Sequence, residues 1–337
     1  MILNDPQVCP PAAELNTCKT MGEVSKYALW PIFGGIFHPL YLIINAAVVG
    51  RMETQYLAAL GLGSLTTGIC LLSICNCFAL VMTSFVAPAH GVGDHCLARI
   101  YLHRQYLLNT FIFIVAFIPI IFIKQIYAAI GQDEEISNLA AQYVWTVGPT
   151  VLPFTQAMTM INYAEAQKYT KASIVTLALS TVVHMIFMYV FVGVMDLGWT
   201  GVCLTTMVMF LSRFVIAFVF LQFMKPYQES SSVQLFSRQS SSNLSDQFKR
   251  GSMSLLMGVW GWWAFDIFTL IASYLSTEVI SAQTIMRSLG LLTFMVPVGL
   301  GKACQYYVGI FIGQGCERSI NHYFNVCLLL SVIIGVA

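Results

Sequence analysis

The sequence predicts an all-α polytopic membrane protein, a helical bundle in two lobes. Three observations predict it. Of 337 residues, 58% are hydrophobic and 9% charged, with a mean hydropathy of +0.75, whereas a soluble domain carries about 25% charge. The apolar residues fall in long uncharged runs, not in amphipathic periods. A Ser-rich polar stretch, residues 225–250, separates six such runs from a later set. So little charge excludes an ordinary soluble enzyme, a nucleic-acid partner and a disordered chain. The net charge of +1 implies neither an acidic nor a basic partner.

In order, residues 27–50, 54–93, 105–123, 136–164 and 172–195 carry no Lys, Arg, Asp or Glu. Residues 197–223 are interrupted only by Arg213. Residues 252–274 hold Asp266, and residues 281–315 hold Arg287 and Lys302. Residues 321–337 begin a ninth run that stops in mid-helix. About 20 apolar residues cross a bilayer as helix. Helices are required because lipid-exposed backbone must satisfy its own hydrogen bonds. Barrel strands would be half as long and alternating. Prolines 31, 39, 88, 119, 149, 153 and 297 predict kinks.

The first twenty residues lack the basic start and apolar run of a signal peptide, which places the N-terminus in the cytosol. On that orientation, eleven of the 16 Lys and Arg residues are cytosolic, against Arg51, Lys124 and Arg287 outside. The expected organisation is a tail at 1–26, a first lobe at 27–224, a mobile cytosolic linker at 225–250 and the start of a second lobe at 251–337. The ten cysteines form no C-x-x-C pair and read as small hydrophobes. His90, Asp94, His95 and Cys96 lack a matching second cluster, so no metal and no cofactor is expected.

Sliding the chain against itself by 222 residues aligns Gly68 with Gly290, Val86 with Val308, Gly91 and Gly93 with Gly313 and Gly315, and Tyr101 with Tyr323. With the linker position, this predicts parallel repeats related by an axis along the membrane normal, an arrangement of many secondary transporters.

Several segments resemble the multidrug and toxic compound extrusion (MATE) antiporters in their eukaryotic form. They are the first run from Pro31 to Gly50 with Leu57-Ala-Ala-Leu-Gly-Leu-Gly63, and Gly131-Gln-Asp-Glu-Glu-Ile136 leading to Pro149. His184, Tyr189, Gly198 and Gly201 are similar to residues of the family's fifth and sixth spans. The sharpest match is Trp262-Trp-Ala-Phe-Asp266, followed by Ala282-Gln-Thr284 and Pro297-x-Gly299. The resemblance covers roughly residues 27–337. It implies twelve spans in two lobes, so the chain is expected to be a fragment or a truncated product with an incomplete second lobe. Two departures concern chemistry. The family's usual seventh-span Glu is Asp266 here. Where many prokaryotic members carry a first-span acid, Asn45 stands nearest.

These residues are the candidate site. Asp266 is read as the one acid deep in a span, where a charge is costly and persists because it pairs, titrates or binds a cation. Protonation and an organic cation would exclude each other there, as an antiporter requires. Trp262 lies one turn before it and offers a face to organic cations. Asn45 and Gln283 join them as coupling or substrate residues implied by the resemblance. Lys302, Arg287 and Arg213 are candidate ion-pair partners, with Lys302 a neutraliser of Asp266. The expected function is antiport of organic cations or xenobiotics, coupled to H+ or Na+, across the plasma membrane or an organelle membrane. Its partners are a small organic substrate, the coupling ion and the bilayer, with no nucleic acid. The alternatives are a flippase for lipid or lipid-linked oligosaccharide, which would need a basic cavity and has only Arg213, and a non-transporting fragment. No His, Asp and Ser constellation points to an enzyme.

Overall fold

A computed structural model of the chain describes residues 16–234, 242–273 and 277–336; the side chains of 54, 265–266, 269–270, 272–273, 277–282, 284–285, 287–289 and 336 lie outside the description. The described residues form helices and turns with no strand. α1 is Thr17–Val49. The second long element is segmented into α2 (Thr54–Thr67), a π-helical stretch Gly68–Leu72, α3 (Ser73–Ala79) and α4 (Met82–Gly91). Then come α5 (His95–Ile121), α6 (Ile123–Ala129), α7 (Glu134–Val147), α8 (Val151–Glu165), α9 (Lys171–Met188), α10 (Gly198–Gln222) and α11 (Lys225–Glu229). Past the polar stretch lie α12 (Leu244–Ser273), α13 (Thr277–Gln314) and α14 (Glu317–Val336). Among the described residues, six helices are long and apolar enough to cross a membrane.

Local chemistry sets the breaks. Asn16, Asp94 and Asp133 cap α1, α5 and α7 by accepting backbone N–H bonds, and Glu134 and Glu135 add charge suited to a helix start. Pro149 lies in the 3-10 turn Gly148–Thr150 that parts α7 from α8, where a residue without an N–H is tolerated. The bundle is apolar on its outside as well as in its core, and polar side chains are buried among the apolar ones. Phe111, Ile114, Val115, Ile118 and Ile121 of α5 are exposed, whereas Asn45, Gln105, Asn109, Ser180, His184, Thr206 and Arg213 are buried. An apolar exterior with polar side chains kept inside the bundle is what lipid selects.

The expected free linker at 225–250 differs in the structure. Lys225–Glu229 is a helix, and α12 already begins at Leu244. Both flanks dock on α5: Arg99 Nη1 donates to the Tyr227 carbonyl at 2.7 Å, and buried Gln247 donates to Gln105 Oε1 at 2.8 Å and to the Tyr101 carbonyl at 3.1 Å. The polar composition disguised amides that reach back into the bundle. Residues 235–241 lie outside the description.

The 222-residue offset recurs in the backbone. The second long element, Gln55–Gly91, maps onto α13, and the starts of α5 at His95 and α14 at Glu317 coincide under the shift. Gly93 and Gly315 both take positive φ, +75° and +71°, a conformation that favours glycine. α13 packs between α1 and α4, and α12 packs on α3. The contacts are reciprocal. A Cβ on Gly91 would stand 2.5 Å from the Ile310 carbonyl oxygen, and one on Gly313 would strike the Pro88 carbonyl oxygen. Residues 88 and 310 are themselves a shifted pair, as are 91 and 313. Ala87 meets its own counterpart Gly309, so a twofold relation passes between them. Likewise Ser254 Oγ donates to the Cys77 carbonyl at 3.0 Å, while Gly299 abuts Ile32, the two positions related to Cys77 and Ser254 by the shift.

Candidate functional site

The reciprocal contact closes one end of the bundle. Between helices of the two repeats lies a pocket with an empty volume of about 680 Å³, its open mouth included. His38 and Tyr41 of α1, Ser64 of α2, Gly68 and Leu72 of the π stretch, and Ser73 and Asn76 of α3 line it. Trp262 of α12 and Leu291 of α13 complete the wall. The π stretch widens the helix at the pocket, a placement common at functional sites. Trp263 anchors α12 beside it, its Nε1–H donating to Ser73 Oγ at 3.0 Å.

Behind the wall lies a polar network, buried except at His38, which reaches the pocket. Asn45 donates to Thr206 Oγ1 at 3.0 Å, and its Oδ1 meets His184 Nε2 at 3.0 Å. Arg213, 0% exposed, donates Nε–H to Ser180 Oγ at 3.0 Å and an Nη1–H to His38 Nδ1 at 3.2 Å. A guanidinium only donates, so His38 Nδ1 must accept and its ring proton sits on Nε2. The Tyr41 and Phe154 rings lie 5.8 and 5.3 Å from the guanidinium carbon, within cation–π range. Among the described residues, no carboxylate pairs with Arg213.

The predicted residues are thus dispersed. Trp262 lines the pocket. Asn45 belongs to the buried network behind it, engaged by Thr206 and His184. Gln283 sits half-buried on α13. Asp266 and Arg287 lie on α12 and α13, with side chains outside the description. Lys302 donates to Glu165 Oε2 at 2.7 Å; its expected role as a neutraliser of Asp266 falls on a side chain outside the description. On α13, at about 1.5 Å per residue, Lys302 stands about 22 Å beyond Arg287, at the level where α8 ends. Glu165 was missed by the sequence reading. It terminates the uncharged run 136–164 and resembled a loop charge, while its partner lies 137 residues away.

Arg213 yields a test in which the conservative change does more harm. Arg213→Lys keeps a buried charge but loses the fork that serves Ser180 and His38 together, and should lose about 2–4 kcal/mol. Arg213→Met removes the charge. Ser180 keeps its bond to the Leu177 carbonyl and His38 is free to switch tautomer, so the loss should be about 1 kcal/mol. Thermal unfolding in detergent ranks the two; a Lys variant as stable as the parent would contradict the buried-charge reading.

Fold and pocket together define a multi-pass α-helical membrane protein whose repeated helices enclose a site, in the manner of secondary transporters. Known proteins agree. The MatE family profile matches residues 31–190 and 254–337. Multidrug and toxin extrusion protein 1 of human is 22% identical over 293 residues, covering 86% of this chain and 50% of the human protein. The rabbit protein of that name is 27% identical over 206 residues, 61% of this chain and 36% of its own. Among solved structures, the eukaryotic MATE transporter AtDTX14 superposes with a TM-score of 0.85 at 16% identity, over 93% of this chain and 70% of its own. A MATE transporter of Vibrio cholerae gives 0.73 at 14%, over 94% and 72%. The chain belongs to the MatE family, and it spans about half the length of the human relative.

Proposed function

We propose that this chain forms the substrate-binding core of a secondary active transporter that extrudes small organic cations by alternating access, driven by H+ or Na+. The observation that carries the reading is the pocket itself, lined from both repeats by Trp262, Tyr41 and His38 and backed by a closed contact at the far end. A site between two repeats that is shut at one end and accessible from the other is one state of an alternating-access cycle. Aromatic faces suit an organic cation, and Asp266, one turn from Trp262, is assigned the carboxylate for which cation and coupling ion compete. The basic excess of the loops supports a cytosolic N-terminus, with the pocket facing away from the cytosol. A flippase for phosphorylated lipid is disfavoured, because Arg213 is fully buried and engaged by Ser180 and His38.

The test is accumulation of ethidium in proteoliposomes under an imposed pH or sodium gradient. Trp262→Ala should raise the apparent KM about 2- to 30-fold, the equivalent of one cation–π contact. Unchanged KM would remove Trp262 from the site, and absence of gradient-driven ethidium movement would remove the transport reading.

A further inference from the structure

The pocket does not account for Glu165 and Lys302. Glu165 ends α8 in the first repeat, and Lys302 lies on α13 in the second, so their 2.7 Å contact ties the two sets together. Both are withdrawn from solvent, with side chains 3% and 15% exposed. Glu165 Oε1 is buried with no hydrogen-bond partner, so this carboxylate retains room for a proton. The pair sits between the pocket and the closed end: on α13, Lys302 lies between Leu291 of the pocket and Gly309 and Gly313 of the reciprocal contact.

We propose that Glu165 and Lys302 form a proton-operated latch, a second ion-coupling site that holds the Gly91–Gly313 end shut. This rests on the transport reading above and adds its conformational half, with substrate exchange at Asp266 a separate step. With the pair intact, the ammonium and carboxylate sum to zero charge. Opening that end separates α13 from α8 and leaves two unpaired charges in a low-dielectric interior, which is strongly unfavourable. A proton bound by Glu165 gives a neutral acid and a free ammonium. Opening then exposes one charge in place of two, so acid favours the open end. The surrounding ionisable groups are Tyr27 of α1, which donates to the Glu165 carbonyl at 2.6 Å, and Tyr306 and Tyr307 of α13, packed on Tyr27. His38 of α1 feels the Lys302 charge from the pocket side. Lys168 follows α8, and His90 of α4 lies within its field. Among these described groups, Lys302 alone pairs with the Glu165 carboxylate.

Spin labels carried by ketone amino acids at positions 92 and 314, which spare the native cysteines, report the closed end by distance. In the parent protein the short distance should dominate at neutral pH and give way to a longer one on acidification, by up to about tenfold in population ratio per pH unit for one linked proton. Glu165→Gln should show the long distance at both pH values. Glu165→Gln combined with Lys302→Gln should lose the pH response, and the exchange Glu165→Lys with Lys302→Glu should restore it. A pH-dependent distance in the doubly neutral variant, or none in the parent, overturns the latch. Ethidium transport is read on the same samples. Distances that respond without transport would leave the latch standing and remove the transport reading; transport with unresponsive distances would remove the latch alone.

Discussion

Asp266→Asn should abolish accumulation of an organic cation driven by a pH gradient while leaving the protein folded. The substitution preserves size and hydrogen-bonding capacity and removes only the charge. The energetics show why one carboxylate matters and why it cannot act alone. Moving a two-state carrier from 1:99 to 99:1 takes about 5.5 kcal/mol of differential binding. One charge moved through 100 mV supplies about 2.3 kcal/mol, and one pH unit about 1.4. A single proton driven by both is therefore of the right order but leaves about a third of the switch to substrate binding and to other charged groups. Asp266→Glu should retain activity, since one methylene changes reach and not chemistry. Ethidium accumulation in proteoliposomes at fixed membrane potential decides this. An Asn variant accumulating at the parent rate would move the coupling carboxylate elsewhere, with Glu165 the next to test.

Element positions were legible from the sequence because lipid imposes a one-dimensional rule: uncharged runs become helices. The uncharged run 54–93 became a segmented helix over Gln55–Gly91, and the break at Gly93 followed from a glycine before a capping Asp94. The repeat was legible at Gly91, Gly93, Gly313 and Gly315, since only glycine meets the steric demands at those places. What the sequence withheld was partnership. Lys302 and Asp266 share a neighbourhood in sequence, yet the carboxylate that the structure pairs with Lys302 comes from the end of α8. His38, Ser180 and Arg213 converge from α1, α9 and α10, and no spacing in the sequence encodes that meeting. Gln105, Asn109 and Gln156 form another buried amide chain, through bonds of 2.9 and 3.2 Å, equally silent in a hydropathy trace.

The repeat relation itself predicts matched penalties. Gly313→Ala places a methyl group against the Pro88 carbonyl, and Gly91→Ala places one 2.5 Å from the Ile310 carbonyl. In both cases the obstacle is backbone, which cannot rotate aside, so each change should destabilise the closed end by about 3 kcal/mol, the upper part of the usual overpacking range. If residues 88, 91, 310 and 313 are truly exchanged by a twofold, the two penalties should be equal within about 0.5 kcal/mol. The double variant should cost less than their sum, because helices spread once to admit the first methyl already make room for the second. Gly301→Ala, on the same helix but with open space where its Cβ would stand, should be neutral or gain up to about 1 kcal/mol from helix propensity. The label distance between positions 92 and 314, with thermal unfolding in detergent alongside it, measures all four. A Gly313 variant that lengthens the distance while the Gly91 variant leaves it unchanged would mean that α4 and α13 meet by simple packing and that the 222-residue correspondence has no axis behind it.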